Sequence, residues 1–195
     1  MALGKQAKIL SKHQQTAMLS FLMTTRHPER NCLIFLLSVR SGLRAKEIAF
    51  LTWSMVTDAE GNIGDSINIQ DVASKGKSGG VIWLNAELQK SLIQYKKFMN
   101  PKQMNNRIIT TERNNTTSAQ VIVNMFQSWY QKIGYDGCTS HSGRRTFITN
   151  SARKISTVGG SIKDVQMLAR HKSLQMTQRY IESDIEAQKK VVQII

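Results

Sequence analysis

The stretch Cys32-Leu33-Ile34-Phe35-Leu36-Leu37-Ser38-Val39 is apolar on nearly all sides. A helix of this composition has no polar face to give to water, so other elements must cover it, and it is too short to cross a membrane. A chain of 195 residues suits one domain and is long enough to bury a substantial core. The helix is expected to stop at Ser41-Gly42-Leu43, with Gly42 as a C-terminal residue of positive φ, and a new helix to start at Arg44-Ala45-Lys46-Glu47-Ile48.

Upstream, Ser11 and Gln14 form a capping-box pattern that opens an amphipathic helix to about Thr25, with Leu10, Ala17, Met18, Phe21 and Leu22 on one face. His13 and His27 sit on a polar background and read as solvated surface residues. Beyond Trp53, the alternation Ser66-Ile67-Asn68-Ile69 and the run Val81-Ile82-Trp83-Leu84 predict two short strands joined by the basic loop Ser74 to Gly80. The Gly76-Lys77-Ser78 in that loop is not a phosphate-binding P-loop, because Asp71 stands where the first glycine is required and no helix follows directly. Helices are expected over Ala86 to Met99, Ser118 to Ile133 and Arg144 to Ile155, their aromatic residues serving the core. Asn100 to Thr117 reads as a loop with a short strand-like Arg107-Ile108-Ile109. A helix capped at Ser161 should end at His171, and a further helix should hold Tyr180. The class is mainly α with a small antiparallel β-hairpin, in a single domain over residues 1–195 with its core in 10–182.

The net charge of +14 arises from 27 Lys and Arg against 13 Asp and Glu, spread over both halves of the chain. Such a surface favours a polyanion. With no long apolar run, no signal peptide and no strongly amphipathic basic helix at a terminus, nucleic acid is a better partner than a membrane. Cys32 and Cys138 are isolated, without neighbours at zinc-ligand spacing, which implies a reducing compartment and no structural metal.

The chemistry-bearing residues concentrate between His141 and Tyr180. Arg144 offers a rigid fork of donors matched to phosphate oxygens, His141 and His171 offer proton exchange near neutral pH, and Tyr180 offers a phenol oxygen able to become a covalent nucleophile. Each alone would be read as structural. In this order, His141-Ser142-Gly143-Arg144 as an H-x-x-R box, then His171 and a tyrosine nine positions on, the set resembles the tyrosine recombinases, the phage-integrase family of site-specific recombinases. Ser41-Gly42-Leu43-Arg44-Ala45-Lys46-Glu47 resembles that family's first arginine box, and the likeness covers nearly all of residues 10–182.

The resemblance implies the integrase catalytic-domain fold of a DNA breaking-rejoining enzyme, and a role for each residue. Tyr180 is the nucleophile, forming a 3′-phosphotyrosyl link. His141 is the general base, Arg44 and Arg144 clamp the non-bridging oxygens, and His171 donates a further hydrogen bond. Lys75 is the general acid, with Lys77 in reserve, and Glu47 takes the supporting acidic position. Lys77, Arg145, Lys172 and Arg179 are assigned to DNA contact. No cofactor or metal is implied, since the arginines supply the positive charge. The chain departs from the family at Gly143, where a leucine is usual, and at Arg170, where a glycine is usual. With only about ten residues before the first helix, the N-terminal DNA-clamping (core-binding) domain is expected to be absent.

The expected partner is double-stranded DNA, bound by a monomer that assembles into a homo-tetramer on paired sites, with a cytoplasmic location in a bacterial or phage-encoded setting. The ending, residues 183–195 with Val191, Val192, Ile194 and Ile195, either packs as a last core helix or docks on a neighbouring protomer. Two other functions compete: a type IB-like topoisomerase using the same nucleophile on one duplex, and a DNA-binding remnant without activity, whose mark would be a lost catalytic residue.

Overall fold

The computed structural model describes residues 6–70, 79–112, 114–181 and 192–193. Lys75, Lys77 and nearly all of the C-terminal segment 183–195 lie outside the described residues. The chain divides into two compact units, Met1–Phe147 and Ile148–Ile195.

The first unit is built around α2 (Pro28–Ser41), whose residues Leu33 to Val39 are all buried. Proline in its first turn suits a position with no backbone donor to lose. At its other end Gly42 takes φ 65° and ψ 22°, and Leu43 N donates to Leu37 O at 3.2 Å, closing the last turn as expected. α1 (Lys12–Met23), with the Ser11–Gln14 capping box formed in both directions, and α4 (Ala86–Met99), capped by Asn85, both pack on α2. α3 (Ala45–Phe50) packs on α2 and on α5 (Ala119–Lys132), which is capped by Ser118. The aromatic residues Tyr95, Phe126, Trp129 and Tyr130 are buried in this core.

The strands are β1 (Ser66–Ile69) and β2 (Gly80–Trp83), an antiparallel pair in the register Ser66↔Trp83 and Ile69↔Gly80. Ile67 and Ile82 face each other and are buried, as the period-two pattern requires. The strand-like Arg107-Ile108-Ile109 is not a strand: it makes one isolated bridge, Thr52↔Arg107. Its neighbour turns at once into the 3-10 helix Trp53–Met55, so no ladder extends, and the two isoleucines are instead buried as core anchors of the loop.

The division between the units falls inside α6 (Ser142–Lys154). The second unit continues through a 3-10 turn, Ile155–Val158, into α7 (Ile162–Ala169) and α8 (Leu174–Gln178), which pack on each other. Two sequence expectations are corrected here. α7 ends at Ala169 rather than His171, because Arg170 adopts a left-handed conformation, φ 51° and ψ 48°. Tyr180 is not held within a helix either: α8 stops at Gln178, and Tyr180 N donates to Thr177 O at 2.9 Å in the turn that follows.

Gly143 explains itself in the first unit. A Cβ there would lie 2.3 Å from Ser38 Oγ, 2.9 Å from Ser38 Cβ and 3.1 Å from the Ser38 carbonyl carbon, so the backbone of α6 rests directly on α2. The leucine usual at this place has no room. We expect Gly143→Ala to lower the unfolding free energy by about 1–3 kcal/mol through overpacking, and Gly143→Leu to lower it further, as read by chemical denaturation.

Candidate active site

The two box arginines, Arg44 and Arg144, both in the first unit, are held by different means around one turn. Arg44 is the N-cap of α3, and Glu47, three residues on, reaches back to it twice. Glu47 Oε2 accepts from Arg44 N at 2.8 Å and Oε1 from Arg44 Nη1 at 2.9 Å. Glu47 is wholly buried, while the Arg44 side chain keeps 23 % of its surface, so the carboxylate anchors a guanidinium whose remaining edge meets solvent. Arg144, in the first turn of α6 and 4 % exposed, donates from Nη1 to the carbonyl of Gly42 at 2.6 Å. Gly42 is only two residues from Arg44. The same glycine must remain bare, since a Cβ on it would meet Phe147 Cδ1 at 2.6 Å.

His141 lies just before α6 and is exposed. Its N–H donates to Thr139 Oγ1 at 3.2 Å and its carbonyl accepts from Arg145 N at 2.9 Å, so its backbone is fixed by the helix start. Thr146 anchors the same helix, donating to Ser142 O at 2.7 Å and accepting from Leu10 N at 2.8 Å. Arg145, assigned to DNA contact, places its guanidinium on the carbonyl of Ala7 at 2.8 Å.

In the second unit His171 and Tyr180 come together. Their rings stack with centroids 5.4 Å apart and planes 27° apart. His171 is buried, Tyr180 half-buried. The left-handed Arg170 turns the chain so that His171 N donates back to Gln166 O at 3.1 Å, while Gln166 Nε2 donates to His171 O at 3.0 Å. His171 Nδ1 is within 2.9 Å of Thr177 Oγ1. Lys172 and Arg179, also assigned to DNA contact, are exposed and lie between these two residues in sequence.

Of the four tyrosines, three are unsuited to attack an external substrate. Burial pushes the Tyr95 phenol up to about 12, an effect that the nearby Arg30 only partly offsets, and pushes the Tyr130 phenol higher still. Tyr135 is raised by desolvation and spends its hydroxyl on Gln14 O at 3.3 Å. Tyr180 is the one set beside an imidazole. Among the described residues no group of three or more His, Cys, Asp and Glu stands close enough to hold a metal ion, and no helix is long and apolar enough to cross a membrane.

Sequence reasoning located the arginines, histidines and tyrosine but missed what holds them: the Gly42 carbonyl, Gln166 and Thr177. A backbone carbonyl leaves no mark in a sequence. Thr177 had one weak signal, its place three residues before the tyrosine, where a turn brings side chains to the same side.

The model of the phage integrase family matches residues 8–187. None of the curated proteins matches by sequence. Among solved structures, the crystal structure of XerA recombinase superposes with a TM-score of 0.72 at 22 % identity, over 94 % of this chain and 63 % of that one. The XerH site-specific recombinase, in a post-cleavage complex with palindromic difH substrate, gives 0.74 at 18 % identity, over 99 % and 54 %. A lambda integrase dimer bound to a COC′ core site gives 0.69 at 19 % identity, over 94 % and 52 %. The chain thus spans between half and two thirds of these proteins, and at such identities the likeness is one of fold: a mainly helical tyrosine recombinase catalytic domain with a small antiparallel sheet. With the two arginines secured on one turn, the histidine stacked on the tyrosine, and a family match that runs through all of them, the chain belongs to the phage integrase family.

Proposed function

We propose that the protein is a site-specific DNA recombinase that cleaves and rejoins strands through a 3′-phosphotyrosyl intermediate. The observation that carries this is the Tyr180 phenol stacked on His171, in a chain of the phage integrase family whose two box arginines are both anchored. The net charge of +14 suits a DNA partner, and the XerH and lambda integrase structures similar to it hold DNA.

In this mechanism the Tyr180 oxygen attacks the scissile phosphorus while His141 accepts the phenol proton, because a phenol is almost wholly protonated at neutral pH. A new O–P bond forms as the bond to the 5′ oxygen breaks. Arg44 and Arg144 meet the charge that grows on the non-bridging oxygens, and His171 adds a hydrogen bond. Lys75 gives a proton to the departing 5′ oxygen. Rejoining reverses each transfer with another 5′-hydroxyl, and the phosphotyrosyl ester conserves the bond energy, so no ATP enters. Lys77, Arg145, Lys172 and Arg179 contact the duplex. Free protein is a monomer and exchange requires four protomers on two duplexes, within a cytoplasmic, DNA-associated setting. The C-terminal segment 183–195 docks on a neighbouring protomer or on its own core. A topoisomerase would share the nucleophile but relax one duplex, and the family match favours recombination.

A nicked suicide duplex carrying the recombination site should trap a covalent complex with the wild type and none with Tyr180→Phe. Trapping by the phenylalanine variant rules out this nucleophile. Glu47→Gln, which keeps the shape and removes the charge behind Arg44, should slow trapping on the order of 10- to 100-fold, as loss of a group that orients a functional side chain does. Affinity for nonspecific duplex should fall steeply with salt through counterion release, and a flat salt response in a filter-binding titration counts against the basic surface as the DNA face. With sulfur in place of the 5′ bridging oxygen the leaving group no longer needs an acid, so Lys75→Ala should cleave at close to the wild-type rate while failing on ordinary DNA. Rescue of Lys77→Ala alone would move the acid to Lys77.

A further inference from the structure

We propose that Thr177 is a positioning residue that holds neutral His171 in the tautomer protonated on Nε2, presenting that nitrogen as a hydrogen-bond donor to substrate. Its use in strand cleavage rests on the function proposed above; the tautomer itself does not.

A threonine in a helix commonly turns its hydroxyl back to the carbonyl four residues earlier, as Thr146 does toward Ser142 O at 2.7 Å. Thr177 in α8 does otherwise. Among the described residues its hydroxyl has one hydrogen-bond partner, His171 Nδ1 at 2.9 Å. Thr177 is wholly buried and His171 7 % exposed, so water does not complete the set.

Two arrangements of protons fit that distance, and they are not equivalent. If Nδ1 carried the proton and donated to Thr177, the threonine's own hydrogen would be left buried and unpaired, which incurs the full desolvation penalty of a donor. If Thr177 donates to the Nδ1 lone pair, both groups are satisfied, and a neutral imidazole must then carry its hydrogen on Nε2. Turning the ring over would set Cδ2, which accepts no hydrogen bond, against the buried Thr177 hydroxyl and leave that donor unpaired. Gln166 holds the backbone of His171 on both sides, at 3.0 and 3.1 Å, and Tyr180 lies against the ring face at 5.4 Å between centroids.

The chemical consequence is a donor that needs no net charge. The opposite tautomer would turn a lone pair toward an anionic phosphate oxygen and repel it, whereas Nε2–H offers it a hydrogen bond throughout the pH range in which the imidazole is neutral.

The test uses the whole chain with 15N-labelled histidine, free of DNA, in long-range 1H–15N spectra at a pH where His171 is neutral; His171→Gln identifies its signals. The wild type should show Nε2 protonated and Nδ1 as an acceptor nitrogen with the displacement that a hydrogen bond produces. Thr177→Val, equal in shape and lacking the hydroxyl, should lose that displacement, and Thr177→Ser should restore it. A proton on Nδ1 in the wild type overturns the proposal, as does an Nδ1 signal indifferent to Thr177→Val. Because the wild-type spectrum alone decides the tautomer, a poorly folded valine variant does not shield the proposal. In the suicide-substrate assay Thr177→Val should trap DNA on the order of 10- to 100-fold more slowly, with Thr177→Ser near the wild type; equal rates for valine and wild type remove the positioning role. Failure of the wild type to trap any DNA would instead count against the Tyr180 chemistry and leave the tautomer measurement standing.

Discussion

The contact of bare backbone between α6 and α2 governs the geometry of the first unit. At Gly143 the helix backbone rests against Ser38, and at Gly42 the turn after α2 rests against Phe147, with contacts in which an added methyl group would sit 2.3 and 2.6 Å from its neighbours. Arg144 lies between Gly143 and Phe147 in the same helix. Its guanidinium reaches the carbonyl of Gly42, which the second of these contacts holds in place. Two close contacts, one at each glycine, place the donor and its anchor together.

Holding Arg144 by a carbonyl and Arg44 by a carboxylate has different electrostatic results. The Gly42 carbonyl is neutral, so this hydrogen bond positions the Arg144 guanidinium without cancelling charge. Glu47 neutralises much of the Arg44 charge but fixes the guanidinium by two bonds, one to its side chain and one to its backbone. A buried carboxylate is costly unless paired, and Glu47 is paired with the Arg44 guanidinium that it also orients. Lysine would serve neither place, because a single ammonium lacks the planar fork that grips an anchor on one edge and an oxygen on another.

Arg170 shows how the second unit preserves a backbone path while changing the residue. The last turn of α7 is closed by Arg170 N to Met167 O at 2.9 Å and His171 N to Gln166 O at 3.1 Å, which demands a left-handed residue at the cap. Glycine adopts that conformation without penalty, and a side chain there costs about 1–2 kcal/mol. The arginine accepts φ 51° because the hydrogen bonds of the Gln166–His171 pair outweigh it, and His171 arrives in register with Thr177 and Tyr180.

Much of this was visible before any coordinates. The all-round apolar run Cys32 to Val39 required a buried helix, Gly42 its stop, the Ser11–Gln14 and Ser161 patterns their helix starts, and the alternation at Ile67 and Ile82 a strand pair, because these signals come from neighbours in sequence and repeat with the period of the element. The order of Arg44, Glu47, His141, Arg144, His171 and Tyr180 was equally plain, since each is a distinctive side chain in a short motif. Only tertiary structure decided that Gly143 is a packing requirement, that Ile108 and Ile109 are buried core anchors of their loop, that Tyr180 stands past the end of α8, and that Gly42 O, Gln166 and Thr177 hold the reactive groups. Each of these depends on what lies across a contact between residues 5 to 105 positions apart, or on the exact turn at which a short helix ends, and no local pattern of side chains encodes either.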